Sequence, residues 1–504
     1  MFAMFLPTHA PSFVAAAGTL PEYIEEYSIP TPASAPLAIA VDGNGIVWFT
    51  ECNSSKLARF DPANHGFTEY TVPGVGDMWG VTLDHSGFVW FTQYSGKGSV
   101  SPGGMVVFGG TGRLVRFDPA RNNFTTIDVP TIGSFPMRLM VDVQNRIWFT
   151  ELLGNKIGVY DQSKKQLIEY PVPTNASGPA DLAFDKNGAL WFTETYAMSL
   201  GRFDPYNQEF TEYPLGNNTG SQFVASPVGL AVDDRGNAWV ADHGGNWIVE
   251  FNPVTHKTMK YPTHIPPVEA YSLSSVNDLL FDSLGRLWFV EHGGNSVGYL
   301  SVQESVLIEF PIPTGPISTS LWIALAPNGD VWFTEWSTNK IGVVHSNLSV
   351  PVSISVSNRH LRMGPGDETT ISILTKASQE TGGNGTLRYS WSSYNTKDVS
   401  VSFSSQYPSL TDQVGNSAQA ELFLSSSIKT GNYTLGLGID TGKVTVWSMI
   451  QVQVSLEAPT APVGTSVTLA LVAAAGAVLL VGLILRTLLR RHPRVVHRTC
   501  AMNI

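Results

Sequence analysis

The stretch Val331-Trp332-Phe333-Thr334-Glu335-Trp336-Ser337-Thr338-Asn339-Lys340-Ile341-Gly342 runs as a β-branched and aromatic strand, breaks at polar turn residues, and resumes as a second strand. Copies of its Trp-aromatic or Trp-aliphatic core stand at Trp48, Trp90, Trp148, Trp191, Trp239, Trp288 and Trp332, spaced by 42, 58, 43, 48, 49 and 44 residues. Seven units of that length predict a seven-bladed β-propeller over residues 20–346, each blade having four strands, A to D, from channel to rim. The last unit stops near Val344, after its third strand. The segment Glu26-Tyr27-Ser28-Ile29-Pro30 carries a fourth-strand signature, so the N-terminal segment is expected to close the ring.

Loop lengths separate the two faces. From the Asp that ends strand A (Asp42, Asp84, Asp142, Asp185, Asp233 and Asp282, with Ala326 in the last unit) to the Trp of strand B is six residues every time. The extra length falls in B–C and D–A connections, at 93–112, 216–226 and 262–276, and function is expected on the face they share.

The expected fold class is all-β with one C-terminal membrane helix. Residues 350–457 read as a β-sandwich stalk of immunoglobulin-like type, 458–466 as a linker and 486–504 as a basic cytoplasmic tail. Between them, 467–485 is charge-free and apolar over 19 residues, long enough to cross a membrane once. Residues 1–19 form a possible truncated signal segment. With Arg clustered after the apolar run, the chain is expected in the cell membrane as a single-pass protein with propeller and stalk outside. Asn-X-Ser/Thr sequons at Asn53, Asn123, Asn175, Asn217, Asn347, Asn384 and Asn432 all precede that run and fit an extracellular glycoprotein.

Composition excludes several classes. Of 504 residues 14% are charged and 43% hydrophobic, so the chain is not a disordered polyelectrolyte. Residues 1–485 hold 25 basic against 41 acidic side chains, which repels nucleic acid. Two Cys, Cys52 and Cys500, leave no disulfide framework and no Cys-rich zinc module.

Three residues after each repeat Trp stand Glu51, Gln93, Glu151, Glu194, Asp242, Glu291 and Glu335. This ring can hold a divalent cation, or each carboxylate can accept N–H groups of its own turn. The segments Asp242-His243-Gly244-Gly245-Asn246 and Glu291-His292-Gly293-Gly294-Asn295 lie in adjacent blades. His243 and His292, with Asp242 and Glu291, are candidates for catalysis and the two His for metal binding; alternatively they are turn residues inherited by duplication. At the starts of strands A, Trp79, Arg138, Asp181, Asp278 and Trp322 should approach the channel and, with Glu335, bind a ligand. Arg138 and Asp181 can equally be a simple pair across neighbouring blades.

Val47-Trp48-Phe49-Thr50-Glu51, Asn155-Lys156-Ile157-Gly158 and Val331 to Gly342 resemble the virginiamycin B lyase (streptogramin B lyase) family of seven-bladed propellers, over about residues 20–346. The resemblance implies magnesium-dependent elimination that opens an ester of a cyclic depsipeptide, with a His base at the start of an inner strand, a second such His, and a Glu after a Trp-Phe pair. The matching starts here are Pro36-Leu37-Ala38-Ile39, Met78-Trp79-Gly80-Val81, Pro136-Met137-Arg138-Leu139, Pro179-Ala180-Asp181-Leu182, Pro227-Val228-Gly229-Leu230, Val276-Asn277-Asp278-Leu279 and Ser320-Leu321-Trp322-Ile323. None contains His. The leading expectation is therefore a module that binds an extracellular protein, glycan or small ligand on the inserted face, and the alternative a lyase or metal-assisted hydrolase. A purely structural envelope component is the third possibility.

Overall fold

A computed structural model describes residues 22–456, apart from 75, 96, 101–105, 216–225, 264–273, 316, 378–386, 394–397 and 407–415. Seven four-stranded antiparallel blades surround a channel, with strands A at Pro36–Val41, Asp77–Leu83, Pro136–Val141, Pro179–Phe184, Pro227–Val232, Val276–Phe281 and Ser320–Leu325. The N-terminal strand Ile24–Ser28 pairs antiparallel with Lys340–Val344 as the fourth strand of blade 7. His345 donates its backbone N–H to Tyr23, and Lys340 reaches Glu26, so the closure joins chain segments more than 300 residues apart.

The six-residue Asp-to-Trp spacing has a direct cause. In blade 2 the first Asp84 carboxylate oxygen accepts the N–H groups of Ser86 and Phe88, closing the A–B turn, and the second accepts the Trp90 indole N–H at 2.8 Å. Asp142 with Trp148 and Asp282 with Trp288 repeat the device at 2.8 and 2.9 Å. Each Trp is thereby pinned, nearly fully buried, between neighbouring blades.

Residues 352–456 form two sheets packed face to face. One comprises Val352–Val356, Glu368–Ala377, Asn416–Leu424 and Val399–Phe403. The other comprises Arg388–Ser393, Gly431–Asp440, Thr445–Val454 and the parallel-paired His360–Met363, and it continues blade 6: Thr445–Ser448 pairs antiparallel with Val306–Glu309. Trp447 is buried at this seam and donates its indole N–H to Glu309 at 2.8 Å. The described chain up to Leu456 is one compact unit: where an immunoglobulin-like stalk was expected, the sandwich shares a continuous sheet with blade 6.

The expected fold class and localisation are corrected. The described residues hold strands and one short 3-10 turn, and no helix among them is long and apolar enough to cross a membrane. The expected span 467–485 rested on apolar length alone, which is necessary for spanning but does not make a helix; it lies outside the described residues, as do segments 1–19, 458–466 and 486–504. The single-pass membrane assignment is withdrawn with it.

Candidate functional site

Strand A of every blade carries a register shift against strand B, between Pro136 and Leu139 in blade 3 and at matching places elsewhere. Such a bulge sets two residues against one and re-aims both. The Thr of strand B satisfies the backbone this disturbs: Thr150 Oγ1 accepts the Arg138 N–H at 3.1 Å and donates to the Ala180 carbonyl of the next blade at 2.8 Å. Thr92 does the same for Gly80 and Met137, and Thr193 for Asp181 and Val228. The bulge thus brings two consecutive residues per blade toward the channel.

The second of them closes the channel. Arg138 Nε lies 3.1 Å from Asp181 Oδ1, and its Nη1 lies 3.4 Å from Asp278 Oδ2, three blades away. The guanidinium also covers the Trp322 ring, 4.2 Å from its centroid. Each carboxylate is held by backbone as well: Asp181 accepts N–H from Leu182 and Leu230, and Asp278 from Leu279 and Ile323. Burial alone would lower the pKa of Arg138, but the charges of Asp181 and Asp278 outweigh it and hold the group above its ordinary range. Burial raises Asp181 to about 7 despite the opposing charge of Arg138.

The first residue of each bulge forms the wall above this plug. Trp79, Met137, Ala180, Val228, Asn277 and Leu321 surround a cavity of about 90 Å³ whose base includes Arg138, Asp181, Asp278 and Trp322. These wall positions, other than Trp79, were not singled out from the sequence; their places at the strand starts were the available signal. They are also the positions at which the family resemblance calls for the His base, and here they are mostly apolar. The buried Trp79 indole nitrogen has no hydrogen-bond partner, and the ring packs on Phe135 at 5.1 Å. Asn277 donates its amide to the Leu321 carbonyl at 2.5 Å.

His243 and His292 come together, with ring centroids 5.3 Å apart. Burial, then the neighbouring His292, lowers His243 to about 4, and burial lowers His292. Their companion carboxylates face inward to the turns. Asp242 accepts N–H from Ser226 and Gly244 and the Trp247 indole N–H at 2.6 Å, while Glu291 accepts the Ser296 hydroxyl at 2.5 Å. Glu335 is fully buried and accepts the Thr338 hydroxyl at 2.7 Å, so it lies away from the mouth cavity. Burial raises this family of carboxyls: Glu51, Glu194 and Glu291 to about 7, Glu151 and Glu335 to about 8.

Among the described residues no three His, Cys, Asp or Glu side chains converge as metal ligands. Magnesium demands octahedral oxygen ligation; Asp242 is engaged by its own turn and Glu291 leaves one carboxylate oxygen, Oε1, without a partner, and a single such oxygen beside two imidazoles does not make that set. Two imidazoles suit a borderline transition metal better.

The extended connections fall largely outside the described residues. Within 93–112, Lys97–Val100 and Val106–Gly109 form a hairpin that belongs to no blade.

The virginiamycin B lyase family model matches residues 101–281. No curated protein matches the chain in sequence. A solved streptogramin B lyase shares 25% identity, covers 64% of this chain and 97% of its own, and superposes with a TM-score of 0.54. Virginiamycin B lyase from Staphylococcus aureus gives 22% identity, coverage of 64% and 98%, and a TM-score of 0.53, and a catalytically inactive form of it with quinupristin gives the same figures. Repeat grammar, ring closure and these matches agree that residues from about 20 to 346 form a virginiamycin B lyase-like β-propeller.

Proposed function

We propose that this chain is a ligand-binding propeller that receives a side-chain-sized group of its ligand at the channel mouth. One observation carries the reading. The strand-start positions at which the family resemblance calls for a His base hold Leu37, Trp79, Met137, Ala180, Val228, Asn277 and Leu321, and the channel beneath them is plugged by Arg138, Asp181 and Asp278. Proton abstraction next to an ester carbonyl needs a base within hydrogen-bond reach, and an apolar wall supplies none. What the mouth offers is aromatic and thioether surface and a partly exposed guanidinium, which suits an apolar group carrying one hydrogen-bond acceptor.

The test has two arms. Full-length chain incubated with a streptogramin B depsipeptide and magnesium should leave the ring intact by mass spectrometry, and ring opening lost in His243→Ala would overturn the reading. A peptide library selected on the chain should yield binders that Trp79→Ala loses.

A second reading, a lyase or metal-assisted hydrolase, is favoured by the His243–His292 contact, because it sets two imidazoles side by side that burial keeps uncharged at neutral pH. Elemental analysis of the purified chain tests it: a stoichiometric transition metal lost in His292→Ala would support it.

A further inference from the structure

Away from the channel, a cleft of about 510 Å³ lies between the outer strand of blade 5, Lys257–Pro262, and the sandwich sheet that continues blade 6. Strand alternation decides what faces it. His360 and Arg362 stand in register with Gln451 and Gln453, which in turn stand opposite Thr434 and Asn432. Residues opposite one another across a ladder share a face. The sheet therefore presents two polar rows, His360-Gln451-Thr434 and Arg362-Gln453-Asn432, while Tyr433 and Val452 turn into the core. Across the cleft, Met259 Sδ accepts the Gln451 amide at 2.8 Å.

The charge of this surface runs against that of the molecule. In a chain of formal net charge −11, none of the described residues lining the cleft is a carboxylate. Arg362 is exposed there and has no ion-pair partner among the described residues. Around it stand the primary amides of Gln451 and Gln453, each a planar group with donors and an acceptor in one plane. A planar guanidinium matches a carboxylate with two parallel hydrogen bonds, and planar amides match neighbouring hydroxyls. The volume is that of a small-ligand site, roughly 300–1,000 Å³.

We propose that this cleft binds an acidic saccharide, with a uronic acid carboxylate on Arg362 and sugar hydroxyls on Gln451 and Gln453. An extended acidic peptide fits less well: it carries a charge at every residue, whereas the cleft sets one exposed guanidinium among primary amides.

Calorimetric titration of the full chain with trigalacturonate tests the proposal, with neutral galactotriose, its sulfated counterpart and triglutamate as matched probes. Trigalacturonate should bind best, and Arg362→Gln should weaken it about tenfold or more. Gln453→Ala should weaken it less, and rising salt should weaken it throughout. Both side chains are exposed, so neither variant should move the melting temperature. No binding at millimolar trigalacturonate, equal binding of galactotriose, tighter binding of the sulfated sugar or of triglutamate, or indifference to Arg362→Gln would each overturn it.

Discussion

Replacing Arg138 with Met should destabilise the propeller in a pH-dependent way. Met keeps most of the aliphatic stem but not the guanidinium that covers Trp322, so the change removes charge and leaves shape largely intact. Two carboxylates then remain in the channel, with side chains 7% and 3% exposed. Stranding a buried charge by removing its partner costs about 3–5 kcal/mol, and the lost stacking on Trp322 adds about 0.5–2 kcal/mol. Two features reduce the sum. Each carboxylate keeps two backbone N–H donors, and Asp181, already raised to about 7, can take up a proton. A loss of about 3 kcal/mol at pH 8 is therefore expected, and it should shrink on acidification. The sign follows from linkage: a carboxyl whose folded pKa lies above its unfolded value contributes stability that is fully present below the unfolded pKa and is lost as pH rises through the folded one. Without Arg138 the folded pKa of Asp181 climbs further, so the deficit must grow from pH 5 to pH 8. Urea unfolding followed by Trp fluorescence measures this, and the triple change Arg138→Met, Asp181→Asn, Asp278→Asn should recover part of the loss. A deficit below about 1 kcal/mol at pH 8, or one that grows toward acid, would refute the plug as an electrostatic unit.

The buried strand-B carboxyls extend the same linkage to the whole ring: with Glu51, Glu151, Glu194, Glu291 and Glu335 raised to between about 7 and 8, stability should fall as pH rises from 5 to 8, and Glu151→Gln should flatten a thermal-melt profile over that range. Asp282→Ala should cost about 2–4 kcal/mol in denaturant unfolding, because Asp282 accepts the Leu284, Arg286 and Trp288 N–H groups together with the Arg286 guanidinium. Deleting residues 22–28 should lower the melting temperature sharply, since it strips the strand from Lys340–Val344 and removes buried Tyr23 and Ile24; an unchanged melt would show that the ring closes without it.

Much of the scaffold was legible because its signals are local. The six residues between Asp and Trp are the span over which one carboxylate closes a turn and reaches an indole, so spacing and hydrogen bond are the same fact. The placement of Arg138, Asp181 and Asp278 on inner strands was legible for the same reason. The Arg138–Asp181 contact between neighbouring blades follows from chain order, whereas the Arg138–Asp278 contact spans blades 3 and 6 and depends on how narrow the channel is, which no spacing encodes. The mouth wall other than Trp79 was not legible because a bulge makes two consecutive residues face inward where strict alternation allows one.

The junction between propeller and sandwich did leave a trace. Outer strands are half exposed, and that of blade 1, Gly66-Phe67-Thr68-Glu69-Tyr70-Thr71, has no fully buried residue. The outer strand of blade 6 reads Val306-Leu307-Ile308-Glu309-Phe310, apolar on both faces, and four consecutive residues from Leu307 are buried. A run without alternation is the signature of a strand covered on both sides. Residues 445–454 contain the partner, Val446-Trp447-Ser448-Met449-Ile450, equally apolar on both faces. Two rim strands that both lack a solvent face can satisfy each other by pairing, and here they do, with Trp447 on Glu309 supplying a buried polar link. That pairing fixes the sandwich beside blade 5 and so creates the cleft around Arg362 and Gln453: the second candidate site follows from the hydrophobic pattern of one rim strand.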